Sequence, residues 1–238
     1  MNMEQNYWDR AGSSGYLAAI YKDTTVGSHI TGRIWAEAVE FSARLGVQRN
    51  ARVMDLGCGD GAFSNHMLAK GFAKVEGFEL STNAVARANA NKAGAHLTFT
   101  ACDITTLDYT KLGRFDAAFM IGILHHVKPA APEIVKAIRG ITDKVVVLEP
   151  NGDHLARKLL ELTPSYRAAG EDSFRKTTLI RMFSEAGFSL MEHKQINIFP
   201  NFTPKIVFEK LQFLEPIVEQ SALLRGLCTN GLFAFKAG

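Results

Sequence analysis

The sequence predicts an α/β protein built on a doubly wound, mostly parallel sheet. Three observations carry that expectation. Between about residue 52 and residue 149, short apolar runs alternate with segments of helical periodicity. Such alternation requires right-handed crossovers and a parallel sheet covered on both faces. The first run, Arg52–Leu56, ends in the alternating glycines Gly57, Gly59 and Gly61 and passes at once into a helical pattern, which is the sequence of a strand, a tight loop and a helix. The chain has 238 residues, 47% of them hydrophobic, enough for one large domain of this kind with additions.

Residues 1 to about 32 carry no long periodic pattern but hold Tyr7, Trp8, Tyr16 and Tyr21. Two readings stand for these aromatics, a lid over a site or simple packing on the core. His29 and Arg33 precede the first predicted helix, where exposed or capping roles are expected. Ile34–Leu45 has apolar residues at helical spacing, and Gly46 stops it. After the strand Arg52–Leu56, a helix is predicted over about 61–70, a strand over 74–79, a helix over 83–93 capped by Ser81, and a strand over 97–101. A strand over 115–121, a helix opened by Pro132 and running to about 139, and a strand over 144–149 complete the regular part. Beyond Pro150 the pattern changes. Helices are predicted over 155–162, broken by Pro164, and over 176–186, then a strand over 188–199. An apolar stretch over 206–224 reads as helical around Pro216, and 231–236 alternates like a terminal strand, the seventh.

Composition excludes some classes of function. The net charge of +3 is small and no basic block stands out, so nucleic acid is not an expected partner. Three sparse cysteines, Cys58, Cys102 and Cys228, lack metal-ligand spacing and suggest reduced thiols in a cytoplasmic protein. Met1–Asn6 does not open a signal peptide, and the longest apolar run, Ala117–Leu124, is too short for a membrane span. Oligomeric state is not legible.

The chemistry concentrates around the glycines. Gly57 and Gly59 remove side chains where backbone must turn sharply and approach a ligand. Asp55 sits at the mouth of the loop, and Glu79 closes the next strand, where an acid can hydrogen-bond both hydroxyls of a ribose. These residues point to a nucleoside-containing cofactor. Gly57-x-Gly59-x-x-Ala62 also satisfies the dinucleotide pattern, but Asp55 disfavours a pyrophosphate by like-charge repulsion and favours a sulfonium or ammonium group.

Asp55-x-Gly57-x-Gly59-x-Gly61 resembles the cofactor loop of class I S-adenosylmethionine-dependent methyltransferases, of the small-molecule, type 11/12-like kind. Glu79 and Ala101-Cys102-Asp103-Ile104 fall where that family has its second and third cofactor motifs. The resemblance covers about residues 35 to 150 well and the remainder loosely. It implies a Rossmann-like, seven-stranded methyltransferase fold with an antiparallel C-terminal strand, and S-adenosyl-L-methionine as cofactor. It also implies a lid or cap over 1–32, a methyltransferase domain over 33–238 and a helical insertion at about 201–228. Carried over at matching positions, Asp55, Gly57, Cys58 and Gly59 would surround the methionine part. Glu79 would hold the ribose, Leu80 would lie against the adenine, and Asp103 and Ile104 would meet its edge. Ile121 and Gly122 would border the methionine end.

Ile121-Gly122-Ile123-Leu124-His125-His126-Val127 lacks the Asn/Asp, two prolines and aromatic of enzymes that methylate adenine or glutamine amino groups. It resembles instead the Leu-His-His-Val stretch of small-molecule methyltransferases. A neutral imidazole of His125 or His126 can take a proton from an acceptor hydroxyl; the other reading makes the pair structural. Ile121-Gly122 offers no acid for a metal-dependent catechol-type site, so no metal is expected. Glu149-Pro150-Asn151-Gly152 is expected to face the cleft. Phe199, Phe202, Phe208, Phe213, Leu211 and Leu214 form a candidate apolar pocket, with ordinary core packing as the alternative. The expected function is methyl transfer to a small acceptor, aromatic, lipid-like or a secondary metabolite. An RNA or protein methyltransferase, and a cofactor-binding protein that does not methylate, are the alternatives.

Overall fold

The computed structural model describes residues 15–163 and 172–238, so Tyr7, Trp8 and Pro164 lie outside the described residues. Strands β1 (Arg52–Leu56), β2 (Lys74–Glu79), β3 (Leu97–Ala101), β4 (Ala117–Ile121), β5 (Lys144–Pro150), β6 (Phe188–Ile196) and β7 (Asn230–Ala237) pair in the order β3-β2-β1-β4-β5-β7-β6. Pairing from β3 to β5 is parallel. β7 runs antiparallel to both of its neighbours, as the resemblance implies. The chain leaves β1 toward β2 on one side and returns as β4 on the other. That reversal opens a crevice at the carboxyl ends of β1 and β4, the place where open α/β sheets bind ligands.

Consecutive strand residues bury themselves on opposite faces. Val53, Val75, Phe119 and Val146 pack under α2 (Thr24–Arg44), α3 (Ala62–Ala69) and α4 (Thr82–Asn91). Met54, Leu56, Met120 and Val147 pack under α5 (Ala131–Arg139) and α7 (Lys176–Glu185) on the other face. Short helices α1 (Tyr16–Ile20) and α6 (Leu155–Leu160) lie near the crevice, and α8 (Lys205–Leu211) and α9 (Glu215–Gln220) stand between β6 and β7. Among the described residues no helix is long and apolar enough to cross a membrane.

Three segments differ from expectation. α2 begins at Thr24 rather than Ile34, so the boundary expected at residue 32 falls inside it. Threonines and Gly27 have poor helix propensity, but Asp23 caps the helix, its Oδ1 accepting from the backbone N–H of Thr25 at 2.8 Å and Val26 at 3.1 Å. Val26 and Ile30 extend the buried stripe of Ile34, Ala38 and Phe41. β6 ends at Ile196 rather than continuing to Phe199, because Asn197 takes a left-handed φ of 63°. Its side chain accepts from Phe199 N–H at 3.0 Å and donates to Phe199 C=O at 2.8 Å, which turns the chain toward the crevice. The stretch expected as helical over 206–224 divides into α8 and α9 about a tight turn at Gln212–Leu214, with Pro216 in the first turn of α9.

The Asp23 cap yields a stability prediction. Asp23→Ala should cost about 1 kcal/mol, read as a lower urea midpoint with an unchanged m-value. No change in midpoint would mean that burial of Val26 and Ile30 alone sets the start of α2.

Candidate active site

A cavity of about 840 Å³ opens at the crevice. That is within the roughly 300–1,000 Å³ of small-molecule sites. Asp55, Gly57, Cys58, Gly59, Glu79, Leu80, Asp103, Ile104, Ile121, Gly122, His125 and His126 all line it.

The glycine loop folds over the end of β2. Backbone N–H groups of Gly57 and Cys58 both donate to the Phe78 carbonyl, at 2.8 and 3.1 Å. Gly57 has φ 78°, and a Cβ there would lie 2.6 Å from the Ile123 side chain, so only glycine fits. Glu79 is buried beneath this loop. Its Oε2 accepts from Gly59 N–H at 3.1 Å and its Oε1 from Ser81 N–H at 2.9 Å. The Tyr16 side chain adds another bond to it. Burial pushes the Glu79 carboxyl up and these donors pull it back in part. Tyr16, on α1, one of the aromatics read from the sequence as a lid or as core packing, joins this group. Its N–H also donates to Asp60 at 3.1 Å, and its ring covers Gly59.

Asp55 lies on the cavity floor, 2% exposed, accepting from Ser64 Oγ at 2.5 Å. Burial raises its pKa to about 7, opposed by the Ser64 bond and reinforced by the charge of Glu79. Cys58 is a small buried side chain packed on Gly77, its thiol pushed well up by burial. Asp103 accepts from the N–H and hydroxyl of Thr105, at 2.8 and 2.7 Å, and Tyr109 Oη donates to the Ile104 carbonyl at 2.9 Å. Gly122 has φ 68°, and a Cβ there would meet nothing within 4 Å, so it borders open space.

Glu149 does not face the cleft. It stands behind the loop after β4, buried, where its Oε1 accepts from Leu124 N–H at 2.8 Å and its Oε2 from His125 N–H at 3.2 Å. His125 Nδ1 lies 2.8 Å from the same Oε2. Backbone donors already hold the carboxylate as an acceptor, so His125 takes the Nδ1–H tautomer and Nε2 is the basic nitrogen. The His126 ring lies 3.9 Å from that of His125. Burial, then the neighbouring His125 and Arg157, push the His126 pKa down to about 2. His126 therefore stays neutral and is too weak a base to hold a proton near neutral pH.

Ile20, Tyr21, Trp35, Ile198, Phe199 and Phe202 form an apolar wall. The remainder of the expected aromatic pocket lies elsewhere. Phe208 is buried beside Phe199, with ring centroids 5.1 Å apart, while Leu211 and Phe213 point outward. Hydrophobicity alone marks these residues, and it does not say which face of a short helix turns inward. His29 and Arg33 are neither caps nor simply exposed. Arg33 binds Glu215 at 2.5 Å and Glu219 at 2.9 Å, and His29 lies 3.5 Å from Glu215, tying α9 to α2.

Comparison with known proteins decides the family. A family model described as a methyltransferase domain matches residues 28–193. The chain belongs to the methyltransferase-domain family. It is a methyltransferase whose cofactor is S-adenosyl-L-methionine. Solved structures with this fold include the 4+2 cyclase SpnF, 15% identical with a TM-score of 0.68, over 98% of this chain and 94% of that one. A chain from the complex of the Haloferax volcanii Trm112 methyltransferase activator with a methyltransferase is 16% identical, TM-score 0.66, over 97% of each chain. Magnesium protoporphyrin IX methyltransferase from Synechocystis PCC 6803 with bound S-adenosylhomocysteine is 16% identical, TM-score 0.60, over 98% of this chain and 94% of that one.

Asp55 gives this methyltransferase a pH signature. Its folded pKa, about 7, lies above the ordinary value of 3.8. The unfolded chain therefore releases that proton first, and the contribution of Asp55 to stability falls as pH rises from about 4 to about 7, then levels off. Asp55→Asn should remove this slope. Melting temperatures taken from about pH 4 to about pH 8 should show the parent falling relative to the variant across that window; parallel curves would show that Asp55 does not keep its proton.

Proposed function

We propose that this methyltransferase acts on a small, largely apolar acceptor through a hydroxyl that His125 deprotonates. The observation that carries the proposal is the joining, in one cavity, of the glycine loop and its acids, the His125–Glu149 pair, and the apolar wall. A concave cavity of this size suits a small molecule better than a duplex or a protein surface.

The donor set fits the cofactor. Asp55, Glu79 and Asp103 give the β1–β3 side of the cavity an acidic character suited to a sulfonium and an ammonium group and to the hydroxyls of a ribose. Gly122 leaves space where a side chain would intrude. We assign Asp55 and the loop residues Gly57, Cys58 and Gly59 to the methionine part, with Ile121 and Gly122 at its border. Glu79 is assigned to the ribose, and Leu80, Asp103 and Ile104 to the adenine. Tyr16 bonds Glu79 and its ring covers Gly59, so we assign residues 15–23, with α1, as a cap over the same place.

When bound, S-adenosyl-L-methionine supplies an electrophilic methyl group on a good neutral leaving group. The chain's own task is to orient the acceptor, exclude water and take its proton. His125 Nε2 receives that proton, and Glu149 holds the ring and stabilises the imidazolium that forms. His126 packs beside it as a neutral ring. The apolar wall holds the body of the acceptor and keeps water out.

Two measurements test these roles. Glu79→Ala should weaken S-adenosylhomocysteine binding by about 1.5–3 kcal/mol in calorimetry, and an unchanged dissociation constant removes Glu79 from the site. His125→Ala should lower methyl transfer to small hydroxylated aromatic and lipid-like acceptors by about 10²–10⁴, with cofactor affinity retained. His126→Ala should retain most turnover. Labelled methyl groups are followed by mass spectrometry; label on RNA or protein and on none of the small acceptors overturns the reading.

A further inference from the structure

The segment between β6 and β7 has its polarity reversed. Two of its three carboxylates, Glu215 and Glu219, are buried at 1% and 9% exposure and both pair with Arg33, with Lys194 3.8 Å from Glu219. Its large apolar side chains point the other way. Ile206, Phe213, Ile217, Leu223 and Leu227 are all more than half exposed, Leu223 at 93%. Single exposed leucines are ordinary, but this many within 22 residues, on two short helices and the turns that follow them, with the inner side already filled by Phe208 and the two acids, are not.

The exposed charge of the same segment is basic. With the two glutamates taken inside, Lys205, Lys210 and Arg225 remain at the surface against Glu209 alone. Apolar side chains fringed by cations match an anionic lipid surface, where the apolar groups enter the acyl boundary and the cations meet the headgroups. The surface is also continuous with the cavity. Phe202 and Ile20 line the cavity and are themselves 48% and 41% exposed, and Lys22 N–H and the Ile20 carbonyl bond Asn201, joining α1 to the chain that leads into α8.

We propose that the α8–α9 segment docks this enzyme on an anionic membrane surface, with the cavity mouth beside the contact. The docking stands apart from the choice of acceptor and from the role of His125. A second copy of the chain or another protein is the competing occupant, and the test separates them. The full chain is sedimented with vesicles of phosphatidylcholine alone and of phosphatidylcholine with phosphatidylglycerol. Binding to the anionic vesicles is expected, weakening at least tenfold in high salt, and at least tenfold in F213D/L223D and in K205E/R225E. Both variants alter exposed side chains, and their unfolding curves should match the parent. No binding to anionic vesicles, equal binding to neutral ones, or binding unchanged in both variants overturns the proposal. So does a dimer in sedimentation velocity that F213D/L223D dissociates while the parent ignores vesicles.

Discussion

A buried carboxylate must be hydrogen-bonded, and three of them near strand ends organise the active site. Asp55 lies near the end of β1, Glu79 ends β2 and Glu149 lies near the end of β5, all buried. Left without donors, each would cost several kcal/mol or lose its charge. Each instead collects donors from the chain beyond a strand. Asp55 takes the Ser64 hydroxyl and fixes the start of α3. Glu79 takes Gly59 N–H and Ser81 N–H and so locks the glycine loop to the turn that begins α4. Glu149 takes the N–H groups of Leu124 and His125 and fixes the loop after β4. Three loops that share no hydrogen-bonded ladder are thereby held in register around one cavity.

The same constraint separates the two histidines. They are adjacent in sequence and their rings touch, yet only His125 reaches a carboxylate already committed as an acceptor. A charge developing on its ring has a partner at 2.8 Å, whereas a charge on His126 would be desolvated and would face the like charge of Arg157. Environment, not residue type, assigns the proton. In the proposed reaction Glu149 acts through His125 and need not touch a substrate.

Legibility in the sequence tracks the distance over which each feature is built. β2 and β3 have the predicted bounds, because alternating burial and flanking turns are local signals. The glycine loop, Glu79 and Asp103 are visible for the same reason, as short motifs at strand ends. Tyr16 reads as a lid or core aromatic but its partner does not, since its bond to Glu79 joins residues far apart in the chain. Glu149 turns to the other side of its loop from the one expected, because partnership with His125 across 24 residues leaves no trace in local pattern. The early start of α2 has a local sign, Asp23 before two threonines, masked by the poor propensity of the threonines and Gly27. On α8 and α9, burying acids while exposing apolar side chains defeats any reading that equates hydrophobic with inside.

α2 connects these parts. Its residues divide by angle around the helix: Ile30, Ala38 and Phe41 enter the core, Ser28, Thr31 and Trp35 line the cavity, and His29 and Arg33 reach the acids of α9. Ile34 belongs to both core and cavity, next to Arg33 in the chain. A helix transmits displacement along its length more readily than it deforms, since each turn is tied to the next by backbone bonds. The ion pairs of α9 therefore bear on the same rigid body that carries Trp35. The cavity wall and the outward-facing segment are two sides of one structural unit, joined by a half-buried guanidinium rather than by apolar packing alone.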